Sequence, residues 1–187
     1  FDTLFGDQPE EVRERIKRKY ANQETLAEAE RRIEQIALDL ADHYRQRVRP
    51  NGFKAQVGAP SRAAAVRYAQ RLRDFGVSAY PIITTSADDG PQFRTARELD
   101  QSQVISSFLD PEGEAEMLVV VDMLLTGFDA PILQVQYLDR ELREHGLLQA
   151  IARVNRPCTL ARDGVASEKG FGLVVDYHGV SRELEAA

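Results

Sequence analysis

The chain has 187 residues and a formal net charge of −6, with 43% hydrophobic and 29% charged residues. This length suits one globular domain with an appended segment, and the composition excludes a disordered, collagen-like or disulfide-scaffold protein. The longest apolar run, Met117–Val121, is far too short for a bilayer span, so we expect no membrane contact. The negative net charge argues against a surface that binds nucleic acid everywhere, although a local contact remains compatible with it.

The reactive side chains are few and scattered. A single cysteine, Cys158, can form neither an internal disulfide nor a zinc cluster, and it predicts a reducing compartment such as the cytoplasm. The three histidines lie far apart in sequence, so we expect no metal site and no Ser-His-Asp triad. Because the sequence starts at Phe1 without a basic and apolar leader, we expect an excised fragment and no secretory signal.

Residues 1–50 predict a helical lead-in or linker. Apolar residues recur in steps of three and four over Thr25–Val48, and the start of this stretch has the spacing of a capping box. The turn residues Pro50-Asn51-Gly52 then end the helix. The main domain is therefore expected to span residues 51–187.

From residue 53 onward, apolar runs alternate with helical patterns. The predicted strands are Phe53–Gly58, Val77–Ile83, Met117–Val121, Leu133–Leu138 and Phe171–Val175. The predicted helices are Ser61–Phe75, Ala96–Leu109 and Leu147–Asn155. Strands separated by helices indicate repeated βαβ units, so the expected fold class is α/β with a mainly parallel sheet flanked by helices.

The loops that leave the carboxyl ends of parallel strands are where such sheets bind ligands, and two of these regions carry unusual side chains. The first is Val121–Pro131, at the end of the third strand and in the turn that follows it. In it, Gly127 permits close backbone approach, Asp129 can accept hydrogen bonds from a sugar, and Thr126 can donate one to a phosphate. By spacing alone, these residues also fit an ordinary turn in which Asp129 bonds its own backbone.

The second region is the helix that follows the fourth strand. Gln149, Arg153 and Arg156 stand at i, i+4 and i+7 and share one face, while apolar residues on nearly the opposite face would seat the helix on the sheet. Both guanidinium groups are therefore expected to point outward. Arg156 precedes Pro157 and should lie where the helix unwinds. By spacing alone, a solvated amphipathic face also explains the pattern.

Taken together, the two regions resemble motifs V and VI of superfamily 2 helicases. The sixth motif of that family reads Gln-x-x-Gly-Arg-x-x-Arg, and here Ala152 replaces the glycine. More narrowly, Leu124–Pro131 followed by Leu148–Pro157 is similar to the R subunit, the motor and nuclease subunit, of type I restriction endonucleases. The Ser61-Arg62 turn stands at the position of motif IV, and the resemblance covers roughly Ile33 to Tyr177.

The resemblance implies the second of two RecA-like, P-loop NTPase-type domains in a DNA-translocating motor, with ATP bound in the cleft between them. It implies that Arg156 is the arginine finger and that Arg153 is a second contact to the γ-phosphate or to the first domain. Gln149 would orient both arginines. Gly127 and Asp129 would belong to the same ATP site.

The resemblance also implies partners. Ser61, Arg62 and Thr126 would face the backbone of double-stranded DNA. The first RecA-like domain and a nuclease domain of the same parent chain, and separate modification and specificity subunits, would complete the enzyme.

The sequence contains no Gly-x-x-x-x-Gly-Lys-[Ser/Thr] loop and no acidic box, so ATP and Mg²⁺ would be held mainly by the first domain. The isolated chain is accordingly expected to be inactive. Two alternatives stay open: another superfamily 2 motor, of the type III restriction or repair kind, and a RecA-like module that serves only as a protein-interaction domain.

Overall fold

The structure is a computed structural model that describes residues 29–121, 123–124, 128–140, 142, 144–162 and 165–178. Its helices are α1 (29–43), α2 (Arg62–Asp74), α3 (Arg94–Glu98), α4 (Gln101–Leu109) and α5 (Glu144–Val154). Its strands are β1 (Lys54–Gly58), β2 (Ala79–Ile82), β3 (Met117–Val120), β4 (Leu133–Leu138), β5 (Thr159–Arg162), β6 (Val165–Glu168) and β7 (Leu173–Asp176).

Five strands form one sheet in the order β2-β3-β1-β4-β7, and every neighbouring pair is parallel. This arrangement confirms the predicted α/β class. All residues of the central strand β1 are buried, as expected for a parallel sheet covered on both faces. The carboxyl ends of β1, β4 and β7 meet at one edge, where the N–H of Asp139 donates to the carbonyl of Gly58 (2.9 Å) and the N–H of Tyr177 donates to that of Leu138 (2.8 Å).

Helices cover opposite faces of the sheet. Tyr137 of β4 accepts or donates a 2.7 Å hydrogen bond with His43 at the end of α1. The next residue, Leu138, packs with Leu147 of α5. Because successive strand residues point to opposite faces, α1 and α5 must lie on opposite sides of β4.

Helix α1 shares the hydrophobic core of the sheet. Its buried residues follow the predicted spacing and belong to the same core cluster as the strands: Ile33, Ile36, Ala37, Leu40 and Ala41. The helix continues as a π-helical turn (Tyr44–Val48) and a 3₁₀ turn (Arg49–Asn51), which Gly52 ends at a φ of 78°. Residues 29–48 thus pack as part of the domain. Residues 1–28 lie outside the described part, and a linking function for residues 1–50 stays a prediction.

The start of α2 lies where the sequence predicts it. The hydroxyl of Ser61 accepts a hydrogen bond from the N–H of Ala64 (3.1 Å), which satisfies a donor that the first turn of a helix otherwise leaves open. This N-cap fixes the turn between β1 and α2 at the carboxyl edge of the sheet.

Two elements differ from the prediction. The helix expected over Ala96–Leu109 is divided, because Asp100 accepts from the N–H of Gln103 (3.1 Å) and so begins α4 as a separate helix after α3. Apolar spacing does not distinguish a new N-cap from a continuing helix. The antiparallel hairpin β5–β6 was not predicted, because its strands are short and lack a continuous apolar run.

Across the described ranges, no helix is both long enough and apolar enough to span a bilayer.

Candidate functional site

The end of α5 that carries the arginines lies near the start of β4. Arg156 follows the last turn of α5, as predicted, and its Nη1 donates to Oδ1 of Asp129. Asp129 stands only four residues before Leu133, the first residue of β4. The side chains of Arg156 and Asp129 are 51% and 68% exposed, so this ion pair is screened by solvent and contributes little to stability.

Arg153 is buried, contrary to the expectation that both guanidinium groups point outward. Its residue is 9% exposed, and its Nε and Nη1 have no hydrogen-bond partner in the described part of the chain. Burial lowers the pKa of Arg153, the like charge of Arg156 lowers it further, and Asp129 opposes both effects. A buried cation with two nitrogens that make no hydrogen bond to the described residues is costly, so an anion that reached these nitrogens would be bound favourably.

The segment before β7 packs closely against the end of α5. The N–H of Gly172 donates to Oδ1 of Asn155 (3.2 Å), and a Cβ atom at Gly172 would overlap the carbonyl group of Val154. Only a glycine allows the chain to pass this close to the end of α5. Helical periodicity within α5 carries no information about this close approach.

Gln149 lies one turn before Arg153 on the same helix, as its spacing predicts, and it is half-buried. The opposite face of α5 seats the helix on the sheet, since Leu147 and Val154 are buried.

Thr126 and Gly127 fall outside the described residues. On one side of them, Leu124 has a φ of 60°, and its carbonyl accepts from Nε2 of Gln56 (3.4 Å). On the other side, the ring of Phe128 lies 6.3 Å from that of Phe108. This segment therefore leaves the carboxyl end of β3 and returns to the amino end of β4.

The predicted site residues consequently do not share one edge. Ser61 and Arg62 follow β1 at the carboxyl edge, as expected. Asp129, Arg153 and Arg156 gather instead near the amino end of β4, and the expectation that both unusual regions lie at the carboxyl edge was wrong for them. The reason is that α5 runs back along the sheet, so its last turn lies opposite its first.

Sequence reasoning missed Lys169. This buried side chain donates from Nζ to the carbonyls of Pro131 (2.6 Å) and Leu133 (3.1 Å). Its own N–H donates to the carbonyl of Cys158 (2.8 Å), and burial lowers the pKa of its ammonium group. Lys169 thus holds the loop before β4 against the chain that follows the arginines. No motif marks this lysine, because its partners are backbone carbonyls of distant residues.

At the carboxyl edge, Arg62 is engaged within the domain. Its guanidinium binds both carboxylate oxygens of Asp89, donates to the carbonyl of Thr84 (2.9 Å) and lies over the ring of Phe93 (4.8 Å). Ser61 beside it is exposed.

Known proteins are similar to this chain in sequence and in fold. A family model described as type I restriction enzyme subunit R domain 3 matches residues 88–179. A Methanocaldococcus jannaschii protein, named as the MjaIXP endonuclease subunit of a type I restriction enzyme, is 33% identical over 181 residues, covering 93% of this chain and 16% of that protein. The chain belongs to the R subunits of type I restriction enzymes. It spans about a sixth of the length of the curated relatives that it matches.

Solved structures agree on the architecture. A fragment of an HsdR subunit of a type I restriction enzyme from Vibrio vulnificus YJ016 superposes with a TM-score of 0.59 at 16% identity, covering 88% of this chain and 30% of that one. The E. coli DEAD-box protein SrmB, solved with regulator of ribonuclease activity A, gives 0.52 at 21% identity, covering 81% and 79%. This segment of an R subunit therefore has the RecA-like fold of helicase domains.

Proposed function

We propose that the chain is the second motor domain of an R subunit, contributing motifs IV, V and VI to ATP-dependent translocation of DNA coupled to cleavage. The observation that carries the proposal is the buried guanidinium of Arg153, with two nitrogens that lack a partner in the described part of the chain. Arg156 lies one turn further on and is half-exposed. Two neighbouring cations at a helix end, one of them buried with two nitrogens that make no hydrogen bond to the described residues, would form a site for a phosphate group.

ATP bound at such a site would supply the phosphoryl group whose oxygens carry the developing negative charge. A planar guanidinium that is always charged suits this task, and arginine fingers raise phosphoryl-transfer rates by about 10³–10⁵. Arg153, fixed by packing, would hold a phosphate or an acidic residue of the first domain. Arg156 would exchange Asp129 for the γ-phosphate, because its present ion pair is weak and open to solvent.

The remaining assignments divide the domain into two sides. Gln149, Gly127 and Asp129 would complete the nucleotide side. Among the described residues, no group of three or more His, Cys, Asp or Glu side chains could hold a metal ion. The Mg²⁺ ligands are proposed to lie mainly in the first domain, as the resemblance implies.

The DNA side would be the carboxyl edge of the sheet, which carries Ser61 and Arg62 and from which the segment containing Thr126 departs. Short hydroxyl and backbone contacts to double-stranded DNA need little net positive charge, which is compatible with the charge of −6. The first RecA-like domain, the nuclease domain and the modification and specificity subunits are the proposed partners, in the cytoplasm.

Replacing the arginines in the assembled parent enzyme tests the nucleotide side. We expect Arg156→Ala to reduce DNA-stimulated ATP hydrolysis at least about 10³-fold while DNA loading is retained, and Arg153→Ala to act in the same direction. Arg94→Ala is the matched control, because Arg94 is exposed and pairs with Glu98 on its own helix. Normal turnover in the Arg156→Ala enzyme would refute the finger assignment and favour a domain that serves only protein contacts.

A further inference from the structure

The guanidinium of Arg62 is held by a carboxylate in the way that a phosphate would hold it. Nη1 donates to Oδ2 of Asp89 at 2.8 Å, and Nη2 donates to Oδ1 at 2.8 Å. This is the bidentate arrangement of two parallel hydrogen bonds that arginine makes with both carboxylates and phosphates. The side chain of Arg62 is 42% exposed and that of Asp89 is 11% exposed, so solvent, and any ligand arriving from it, reaches the arginine more easily than the acid.

The loop between β2 and α3 is folded around Asp89. Oδ2 of Asp89 also accepts from the N–H of Ser86 (2.7 Å), and its backbone carbonyl accepts from Nη2 of Arg97 (2.7 Å). The hydrogen bond from Arg62 and then the one from Ser86 lower the pKa of Asp89, so the acid stays charged at neutral pH. The acid is therefore built into the loop and is not an accidental surface neighbour of Arg62.

The Arg62–Asp89 pair lies at the carboxyl edge of the sheet, which is the proposed DNA side of the domain. Arg62 is the first residue of α2, directly after the Ser61 N-cap at the carboxyl edge of the sheet. The ring of Phe93 below the guanidinium, at 4.8 Å, and the carbonyl of Thr84 fix the plane and the direction of the fork. A preorganised guanidinium loses little conformational entropy when it binds an oxyanion. The affinity of Arg62 for a phosphate therefore depends on how tightly the Asp89 carboxylate already holds it.

We propose that Asp89 competes with the DNA backbone for Arg62, and that this competition sets the strength of the DNA contact at the start of α2. The inference rests on the proposed DNA contact of Ser61 and Arg62. A phosphate that binds Arg62 must displace the Asp89 carboxylate. The contact between Arg62 and that phosphate is therefore weaker than the contact that an unpaired arginine would make. A motor that moves along DNA must release every phosphate it grips, and a built-in competitor lowers the cost of that release.

Asp88 provides a matched control for the test. It is the neighbouring residue, carries the same charge and is exposed, and its backbone N–H donates to the hydroxyl of Ser86 (3.4 Å). Asp88→Asn and Asp89→Asn therefore change the net charge equally. Any difference between them reports the release of Arg62 and not the general attraction of a less acidic surface to DNA.

The experiment measures binding of the 187-residue chain to a short double-stranded oligonucleotide by fluorescence anisotropy, from about 50 to 200 mM salt. We expect Asp89→Asn to bind roughly three- to tenfold more tightly than Asp88→Asn, since it frees one charged bidentate contact. Its dependence of log K on log salt should be steeper by about 1, because one more phosphate is neutralised. Combining Asp89→Asn with Arg62→Ala should abolish the gain.

The outcomes separate this inference from the proposed function. If Arg62→Ala weakens DNA binding but Asp89→Asn matches Asp88→Asn, the DNA contact stands and the competition is wrong. If Arg62→Ala binds like the wild-type chain and Asp89→Asn gains nothing, the DNA contact is wrong as well. Absence of binding by every variant would also overturn the inference, because a freed fork would then take no phosphate.

A change in DNA binding by Asp89→Asn could also result from unfolding of the loop around Asp89, so this explanation needs a control. Asp89→Asn keeps an oxygen acceptor for the N–H of Ser86, and thermal unfolding shows whether the variant stays folded. If it does not, Asp89→Ser, which removes the charge but keeps a hydroxyl, is measured in its place with the same expected gain.

Discussion

Arg32 and Asp139 are joined across 107 positions of sequence, with Nη1 of Arg32 donating to Oδ2 of Asp139 at 2.8 Å. The carboxylate, 2% exposed, stands immediately after β4, and the hydroxyl of Tyr68 donates to the same oxygen at 2.6 Å. Nη2 of Arg32 also donates to the carbonyl of Tyr177 after β7 (3.2 Å). One buried acid thus ties α1 and α2 to the carboxyl edge of the sheet.

Removing the Tyr68 hydroxyl should destabilise the domain. We expect Tyr68→Phe to lower the free energy of unfolding by about 1.5–3 kcal/mol, because the lost hydrogen bond is buried and its acceptor is charged. Urea unfolding of the 187-residue chain measures the change. Tyr80→Phe, on half-buried Tyr80 of β2, is the control and should stay within about 0.5 kcal/mol of the wild type. Equal stability of the two variants would show that the bond to Asp139 contributes nothing.

The same tyrosine predicts a pH dependence. Burial, and then the hydrogen bond to Asp139, raise the pKa of Tyr68 above its ordinary value of 10.0. Above about pH 10 the unfolded chain loses this proton while the folded chain keeps it, so stability is full below that pH and falls as the pH rises further. The expected slope is about 1.4 kcal/mol per pH unit for this group.

Unfolding measured from pH 8 to 11 checks this dependence. Tyr137 and Tyr177, whose pKa values are also raised by burial, add to the slope in the wild type and in Tyr68→Phe alike. The Tyr68→Phe curve should therefore run parallel to the wild type at lower pH and decline less steeply above about pH 10. Identical slopes throughout would contradict the assignment.

Two neighbouring glycines make a matched steric test beside the arginines. A Cβ at Gly172 would overlap the backbone of Val154 at the end of α5, whereas one at Gly170 would meet nothing within 4 Å. We expect Gly172→Ala to cost about 1–3 kcal/mol of unfolding free energy, and Gly170→Ala to cost less than about 0.5. Chemical denaturation distinguishes them, and similar values would mean that the chain relaxes around Gly172 without cost.

Asp129 offers a test of the weak ion pair in the proposed motor. In the assembled parent enzyme we expect Asp129→Ala to reduce DNA-stimulated ATP turnover by roughly ten- to a hundredfold, as when a group that positions a catalytic side chain is lost. Asp42→Ala, which removes an exposed acid paired with Arg45 within α1 and its π-helical turn, is the control. Unchanged nucleotide affinity and turnover in Asp129→Ala would show that Asp129 is part of an ordinary turn and has no role in the nucleotide site.

Local sequence was enough to predict the scaffold. The apolar run Met117–Val121 contains the buried strand β3, because continuous apolar side chains are stable only where both faces of a sheet are covered. Leu133–Leu138 also forms a buried strand, although it contains Gln134 and Gln136. The Ser61 N-cap was also predictable, since it depends on residues three positions apart. The order and spacing of the two unusual segments were sufficient for the family resemblance, which the comparisons confirm.

Side-chain environments at the candidate site were not predictable in this way. Helical spacing placed Arg153 and Arg156 on one face, but Arg153 is buried and the side chain of Arg156 is 51% exposed, a difference that the spacing does not reveal. Likewise, the bidentate pairing of Arg62 with Asp89 joins positions in separate elements.

Properties that arise between residues a few positions apart, namely the strands, the helices, their caps and the motif order, follow from the amino-acid order alone. Which edge of the sheet holds Asp129, which guanidinium is buried, and which acid Arg62 binds depend on how distant segments pack. Packing is a property of the whole chain, because the free energy of burying a charge is set by every element that excludes water from it.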